Sequence, residues 1–281
     1  MRKYFLIVLA ILSLHAAGQP MRMLTKKATA SSCSYMNTEV CKWSTATGIT
    51  NTTTLNILDT LVQQFKDSSL WTLIKLCNPV AGGTATSHAY NIKDTGTYKL
   101  TFFGTVTHAS TGMTGNGTTG YANTGLNANT VYPSGFMTIG ISSRTNVDGV
   151  YVDIGALSPT NHYLQIYSRL GNTFYGQVNT NNSISENIVN SNSQGFFLAG
   201  RTAATTTVIE KNSAATNSAA TSMAIVDNNI YVMAQNNAGT ASFFSPREID
   251  FVLICDALSV AQSKTMGNIV TAYQIRMGRW L

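Results

Sequence analysis

Charged residues are scarce: Asp, Glu, Lys and Arg make up only 11% of the chain. The net charge is +6, with Arg2 and Lys3 at the very N-terminus and no run of basic residues elsewhere. A mild excess without a basic stripe leaves no electrostatic footprint for nucleic acid. Proline is rare, at 5 residues, and cysteine rarer, at 4, with no Cys-x-x-Cys pair. The 4 histidines are scattered, so the ligand spacing of a zinc site is missing. After Leu14 no apolar run approaches the length of a membrane span. No fixed-period repeat is present, which argues against a propeller or solenoid.

Thr, Ser, Asn and Gly fill the space that charge leaves, a composition typical of many-stranded, loop-rich exported proteins. The N-terminus agrees. Met1-Arg2-Lys3 is a positive start, Tyr4 to Leu14 an apolar core, and Ala16-Ala17-Gly18 a small-residue stretch before Gln19. This is the pattern of a signal peptide over residues 1–18, so the chain is expected to be secreted or displayed at the cell surface. Residues 19–47 are polar and aperiodic and read as a linker. Within it, Cys33 and Cys41 are close enough to close a small disulfide loop in an oxidising compartment. Cys77 and Cys255 are expected either as buried thiols or as a second bridge.

The remainder, 48–281, is long enough for one large β domain with a sizeable core. Leu55, Ile57, Leu58, Leu61, Val62 and Phe65 fall mostly on one helical side. Asp67-Ser68-Ser69 then looks like a cap before Leu70, Trp71, Leu73, Ile74 and Leu76, which predicts a helix pair over 51–77, stopped by Pro79 and Gly82-Gly83. From Tyr90 onward the pattern turns to strands, with Tyr98, Leu100 and Phe102, then Met137, Ile139 and Ile141, then Tyr163, Gln165 and Tyr167 alternating. Short strands punctuated by Gly, Asn and Ser predict an antiparallel sandwich over 90–256 rather than βαβ units. Its last strand, Ile249 to Ile254, is apolar on both faces and so should be covered on both sides. Ser259-Val260-Ala261-Gln262 fits a capping box, and Met266, Ile269, Val270, Tyr273 and Met277 recur at helical spacing, predicting a C-terminal helix over 259–278.

A family resemblance rests on motifs in a fixed order. They include Val80 to Ala85, Tyr98 to Phe102, Thr107-His108, Asn116 to Thr124, Ser143 to Asn146, Ile154-Gly155-Ala156, Ser193 to Phe197, Gly200-Arg201-Thr202 and Lys211-Asn212. The close, from Arg247-Glu248 through Ala272-Tyr273-Gln274 to Met277-Gly278-Arg279, belongs to the same series. In these the chain resembles the concanavalin A-like lectin/glucanase superfamily, over roughly residues 48–280, through exported bacterial and phage-associated members. The resemblance implies a jelly-roll sandwich. It leaves function open between a carbohydrate-binding or adhesion module, a structural part of a phage particle or surface appendage, and a glycoside hydrolase. Asn123 stands where the pattern often has Asp.

Glucanases of that superfamily carry their carboxylates on one strand, as Glu-x-Asp-x-Glu or Glu-x-Asp-x-x-Glu. Glu248-Ile249-Asp250 begins that way, but Val252 and Leu253 occupy the places of the second Glu, so no proton donor follows. Glu248 is therefore expected as a partner of Arg247 or another arginine. Asp148 and Asp153, flanking Gly149, read as turn residues. Calcium, which lectins of the superfamily often hold, lacks the acidic density of a loop cage here, and no cofactor is expected.

Sugar binding combines an aromatic surface with side chains that hydrogen-bond hydroxyls. By this measure His108, Asn116, Tyr121, Asn123 and Arg144 are the candidate binding residues, with Tyr163 and Tyr167 on a neighbouring strand face. The expected partner is a glycan or cell-surface polysaccharide.

Overall fold

A computed structural model of the chain describes Cys33 and residues 36–181 and 186–280. The expected signal peptide and the first part of the expected linker lie outside the described residues.

The chain starts with α1 (Thr38–Thr47) and α2 (Thr52–Asp67), a single 3-10 turn (Trp71–Leu73), β1 (Ile74–Asn78) and the short α3 (Ala85–Ala89). Next come β2 (Thr101–Phe103), β3 (Val106–Ala109), β4 (Gly112–Gly115), β5 (Tyr121–Asn127), α4 (Ala128–Val131) and β6 (Met137–Ser143). The middle holds β7 (Ile154–Leu157), β8 (Tyr163–Tyr167), β9 (Thr173–Thr180), β10 (Asn187–Val189), β11 (Gly195–Ala203), β12 (Thr206–Lys211) and β13 (Ala214–Ala219). Finally β14 (Asn229–Val232), β15 (Gln235–Asn237), β16 (Thr240–Ser242) and β17 (Glu248–Asp256) lead into α5 (Val260–Arg276).

These strands form two sheets, as the strand pattern predicts. The first runs β13-β12-β11-β6-β17-β4-β3, with β1 added to β17; the second runs β10-β9-β8-β7-β14-β5-β2, with the β15–β16 hairpin beside it. Pairings are antiparallel throughout except β15 on β7. Between the sheets Met137, Ile139, Ile141, Phe197, Ile209, Val252 and Ile254 of the first meet Ile154, Leu164, Ile166, Phe174, Val178, Ile230 and Val232 of the second. Two sheets with one apolar face each bury those faces against each other.

A second core lies on the far side of the first sheet. There Phe196, Leu198, Phe251, Leu253 and Cys255 pack under Trp43, Leu58, Val62, Phe65, Met266, Val270 and Tyr273 of α1, α2 and α5. This third layer explains why β17 is apolar on both faces. The faces are not divided by simple alternation, because Ile249 pairs with Ser143 and Phe251 with Ser142, leaving Asp250 as the extra residue of a bulge. The bulge turns Ile249 into the sandwich core with Val252 and Ile254, and Asp250 and Phe251 toward the helices.

Three local expectations are corrected. The second member of the helix pair is instead the 3-10 turn and β1, because Ile74, Leu76 and Cys77 extend the first sheet by pairing with β17. Part of the expected linker is α1, whose Val40 and Trp43 are fully buried against α2. Among the described residues all four cysteines are thiols, so no bridge joins Cys33 to Cys41 or Cys77 to Cys255. Cys41 Sγ donates to the Cys33 carbonyl oxygen at 3.1 Å. Cys77 and Cys255 are buried in the helical core, opposite Leu253 and Ile74 rather than each other.

The capping box at the start of α5 forms as the sequence indicates, with Ser259 Oγ accepting from Gln262 N–H and Gln262 Oε1 accepting from Ser259 N–H. Replacing Ser259 by Ala is expected to lower stability by about 1 kcal/mol, read as a drop in the urea midpoint without a change in slope. Among the described residues no helix is long and apolar enough to cross a membrane.

Candidate binding site

The five candidate residues do not converge. Tyr121 and Asn123, two apart on β5, do share the outer face of the second sheet. Tyr121 stacks on Phe103 of β2 at 5.0 Å and tilts against Tyr231 of β14 at 4.7 Å. Asn123 Oδ1 accepts from Gly125 N–H. Tyr163, Gln165 and Tyr167 continue this face, where Gln165 donates to Gln177 and accepts from Gln235. Asn116 is a loop organiser: its Oδ1 accepts from the N–H groups of Thr118, Thr119 and Gly120.

His108 sits elsewhere again, beside Phe102 and paired through Nδ1 with Nδ1 of buried His88 at 3.0 Å. His88 Nε2 accepts from Gly83 N–H, so the proton of neutral His88 is assigned to Nδ1 and donated to His108. Burial, with His108 and Arg279 adding to it, holds the His88 imidazole down to about 3. Of this pair His88 is fully buried in α3, while His108 is half-buried on β3.

Arg144 lies at a recess of about 430 Å³ lined by Arg144, Asn192, Gln194, Gly195, Asn212, Arg279 and Trp280. Two shallower recesses, of about 540 and 460 Å³, lie against the start of α5 and beside β13 and carry no aromatic ring or arginine. The volume of the Arg144 recess is in the range of small-molecule sites. Its walls come from three places. Arg144 follows the last residue of β6, Asn192 and Gln194 lead into β11, and Asn212 is the first residue of the two-residue β12–β13 turn. Asn212 and Ser213 have φ of 50° and 71°, the left-handed pair that such hairpin turns require. Gly195 is needed beside them: its φ is 132°, and a Cβ there would stand 2.5 Å from Asn212 Oδ1. The missing side chain lets Asn212 Oδ1 accept from Phe196 N–H at 2.8 Å.

The segment after α5 supplies the remaining wall of the recess. Arg279 is anchored by donating to the carbonyl oxygens of Asp250 (2.9 Å), Val80 (2.6 Å) and Ser110 (3.1 Å), and its neighbour Trp280 lines the recess while packing against the helical core. Arg144 NH1 donates to Glu248 Oε2 at 2.9 Å, so Glu248 does have an arginine partner, though not its chain neighbour. Arg247 instead makes a fully buried pair with Asp153, contacting both carboxylate oxygens at 2.9 Å. Asp153 is thus an interior anion rather than a solvated turn residue.

Asp250 is fully buried under α5, and neither carboxylate oxygen has a partner among the described residues. Burial pushes its carboxyl up to about 6, against the pull of Arg279 and Arg144. Among the described residues no group of three His, Cys, Asp or Glu is placed to hold a metal ion.

No family model and no curated protein matches the chain. Its fold is similar to solved structures. One is HCR/D-Sa-GBL1/C, at 14% identity over 71% of this chain and 52% of that one, with a TM-score of 0.50. Another is the receptor binding domain of botulinum neurotoxin C/D mosaic serotype, at 11% identity over 70% and 51%, also with a TM-score of 0.50. The chain spans about half the length of each. These likenesses are of fold: a β-sandwich with helices added.

The sequence reading missed Asn192, Gln194, Asn212 and Trp280. Gln194 and Asn212 do fall inside the motifs Ser193 to Phe197 and Lys211-Asn212 that carry the family resemblance. Nothing in the spacing of Trp280 marks it as a lining residue.

Proposed function

We propose that this protein is a non-catalytic carbohydrate-recognition module, exported to the cell surface or the medium, and that the recess at Arg144 and Trp280 holds the sugar. The observation that carries this reading is the lining: an indole, two guanidinium groups and three carboxamides around one cavity. An aromatic ring covers the apolar C–H face of a pyranose, while amide and guanidinium groups bond its oxygens. The non-catalytic part is supported by the fate of the acidic pair. Glu248 is bound to Arg144, and Asp250 has no surface facing solvent. The helices cover the first sheet and leave the recess open, which favours binding over use of the sandwich as a spacer.

The test is a glycan array on the full chain, followed by titration calorimetry of any hit with the Trp280→Ala variant. Loss of the ring is expected to weaken binding roughly tenfold or more, beyond the modest fall in melting temperature that follows from its packing against the helical core. An array without sugar-dependent binding, together with self-assembly or co-purification with particles, would replace this reading with a structural role in a phage particle or appendage. Release of reducing sugar, abolished by Glu248→Gln, would replace it with hydrolysis.

A further inference from the structure

The polar groups around the recess are unequally committed. Its acceptors are already used: Asn192 Oδ1 takes Gln194 N–H at 2.9 Å, and Asn212 Oδ1 takes Phe196 N–H at 2.8 Å. Gln194 Oε1 faces Asn192 Nδ2 at 3.4 Å. The donors are not. Arg144 places Nε on the Arg279 carbonyl at 3.4 Å and NH1 on Glu248, while its second terminal nitrogen has no partner among the described residues. Asn212 Nδ2 also lacks one. Trp280 Nε1 and Arg279 Nε also lack acceptors among the described residues but are buried, so the donors that face the recess are those of Arg144 and Asn212.

Charge points the same way. No carboxylate lines the recess, two arginines do, and Lys211 sits just behind the wall, donating to the Asn192 carbonyl at 2.8 Å. Glu248 offsets one of these cations. A wall whose uncommitted side-chain groups are the N–H groups of Arg144 and Asn212 suits a ligand that brings acceptors and negative charge, since charge-assisted bonds to an oxyanion are the strong ones and a guanidinium matches its geometry. A neutral sugar, whose hydroxyls must also donate, leaves its own donors unmatched here.

Resting on the carbohydrate reading above, we infer that the site takes an acidic saccharide, and that its carboxylate or sulfate ester sits against Arg144 with Asn212 and Trp280 around the ring. The shared chemistry is an oxyanion on a sugar.

The experiment is calorimetry of the full chain at physiological ionic strength with three probes: trigalacturonic acid, its methyl ester, and a sulfated disaccharide. Variants are Arg144→Gln, Trp280→Phe, which keeps the ring and removes the indole donor, and Lys42→Gln, an exposed charge on the helical layer, as a control. The acid is expected to bind roughly tenfold or more tighter than its ester, because a hydrogen bond to a charged group is at stake. Arg144→Gln should abolish that difference, Trp280→Phe, which retains a ring against the sugar, should preserve it, and Lys42→Gln should change neither form.

Binding of the sulfated but not the carboxylated probe assigns the oxyanion to a sulfate ester and supports the inference. Equal binding of acid and ester overturns it while leaving carbohydrate recognition intact. Equal losses from Lys42→Gln and Arg144→Gln overturn it too, as diffuse attraction of a polyanion. If no saccharide on the array binds, charged or neutral, the carbohydrate reading itself falls. Should Arg144→Gln unfold because Glu248 is stranded, the acid-to-ester ratio and Trp280→Phe still decide the matter.

Discussion

Replacing Asp153 by Ala is expected to destabilise the protein by roughly 3–5 kcal/mol, the largest loss any single polar substitution should produce here. Arg247 and Asp153 are both fully buried, and around them nothing is left unpaired. Asp153 Oδ1 also accepts from Ser245 Oγ at 2.7 Å, and Oδ2 from Ser168 N–H at 3.0 Å and from Ser168 Oγ. Arg247 spends its remaining donors on the carbonyls of Val147 (2.8 and 3.0 Å), Arg169 (2.7 Å) and Tyr151 (3.2 Å). The pair therefore ties the start of β17 to the loop before β7 and the end of β8. Alanine at 153 strands a guanidinium in the interior, and that uncompensated charge is the source of the loss.

Urea unfolding measures the loss directly, provided the slope is unchanged. The double variant Asp153→Leu with Arg247→Met should recover much of it, because removing both charges leaves no ion unpaired. A loss below about 1 kcal/mol for Asp153→Ala would mean that water reaches the site and that the loops are not held by it.

How much of this was legible in the sequence depends on how far apart the cooperating residues are. β17 and α5 could be read because each carries its own signal, a doubly apolar run and a capping box with an apolar stripe. The need for cover on both faces of β17 even implied the helical layer. The segment Leu70–Leu76 misled because a short apolar run serves a buried helix or a strand equally well. Its fate was decided by pairing with β17, far away in the chain. α1 was hidden because only Val40 and Trp43 of its ten residues are buried, too few for a stripe.

The site follows the same rule. Tyr121 and Asn123 could be seen as neighbours because alternation along one strand suffices. The recess assembles Arg144, Asn192, Asn212 and Trp280 from segments joined only by sheet order and by the Arg279 anchor, which no spacing encodes. Asp153 was misjudged because a carboxylate near a turn glycine is usually solvated, and only the fold brings Arg247 to it.

The same burial of acids sets a pH dependence whose sign runs against ordinary acid denaturation. Glu210 of β12 lies under α5, where Gly267 leaves it room: a Cβ at 267 would fall 1.8 Å from Glu210 Oε1. Oε1 accepts from Ser213 N–H at 2.9 Å, and Oε2 has no partner among the described residues. Burial pushes this carboxyl from 4.5 up to about 8, against the pull of the Ser213 hydrogen bond. Between those values the folded chain holds a proton that the unfolded chain releases, so stability falls as pH rises through the window. Glu186, raised to about 7, and Asp250, raised to about 6, add to the same arm. His88 opposes it: depressed from 6.5 to about 3, it removes stability as pH falls below 6.5. Glu210→Gln keeps an acceptor for Ser213 and cannot ionise. The variant is expected to match the wild type near pH 5 and to exceed it at pH 9 by on the order of 3 kcal/mol. Melting temperatures across that range would show the two curves diverging toward alkali. Parallel curves would mean that Glu210 already ionises freely, and that α5 opens above it.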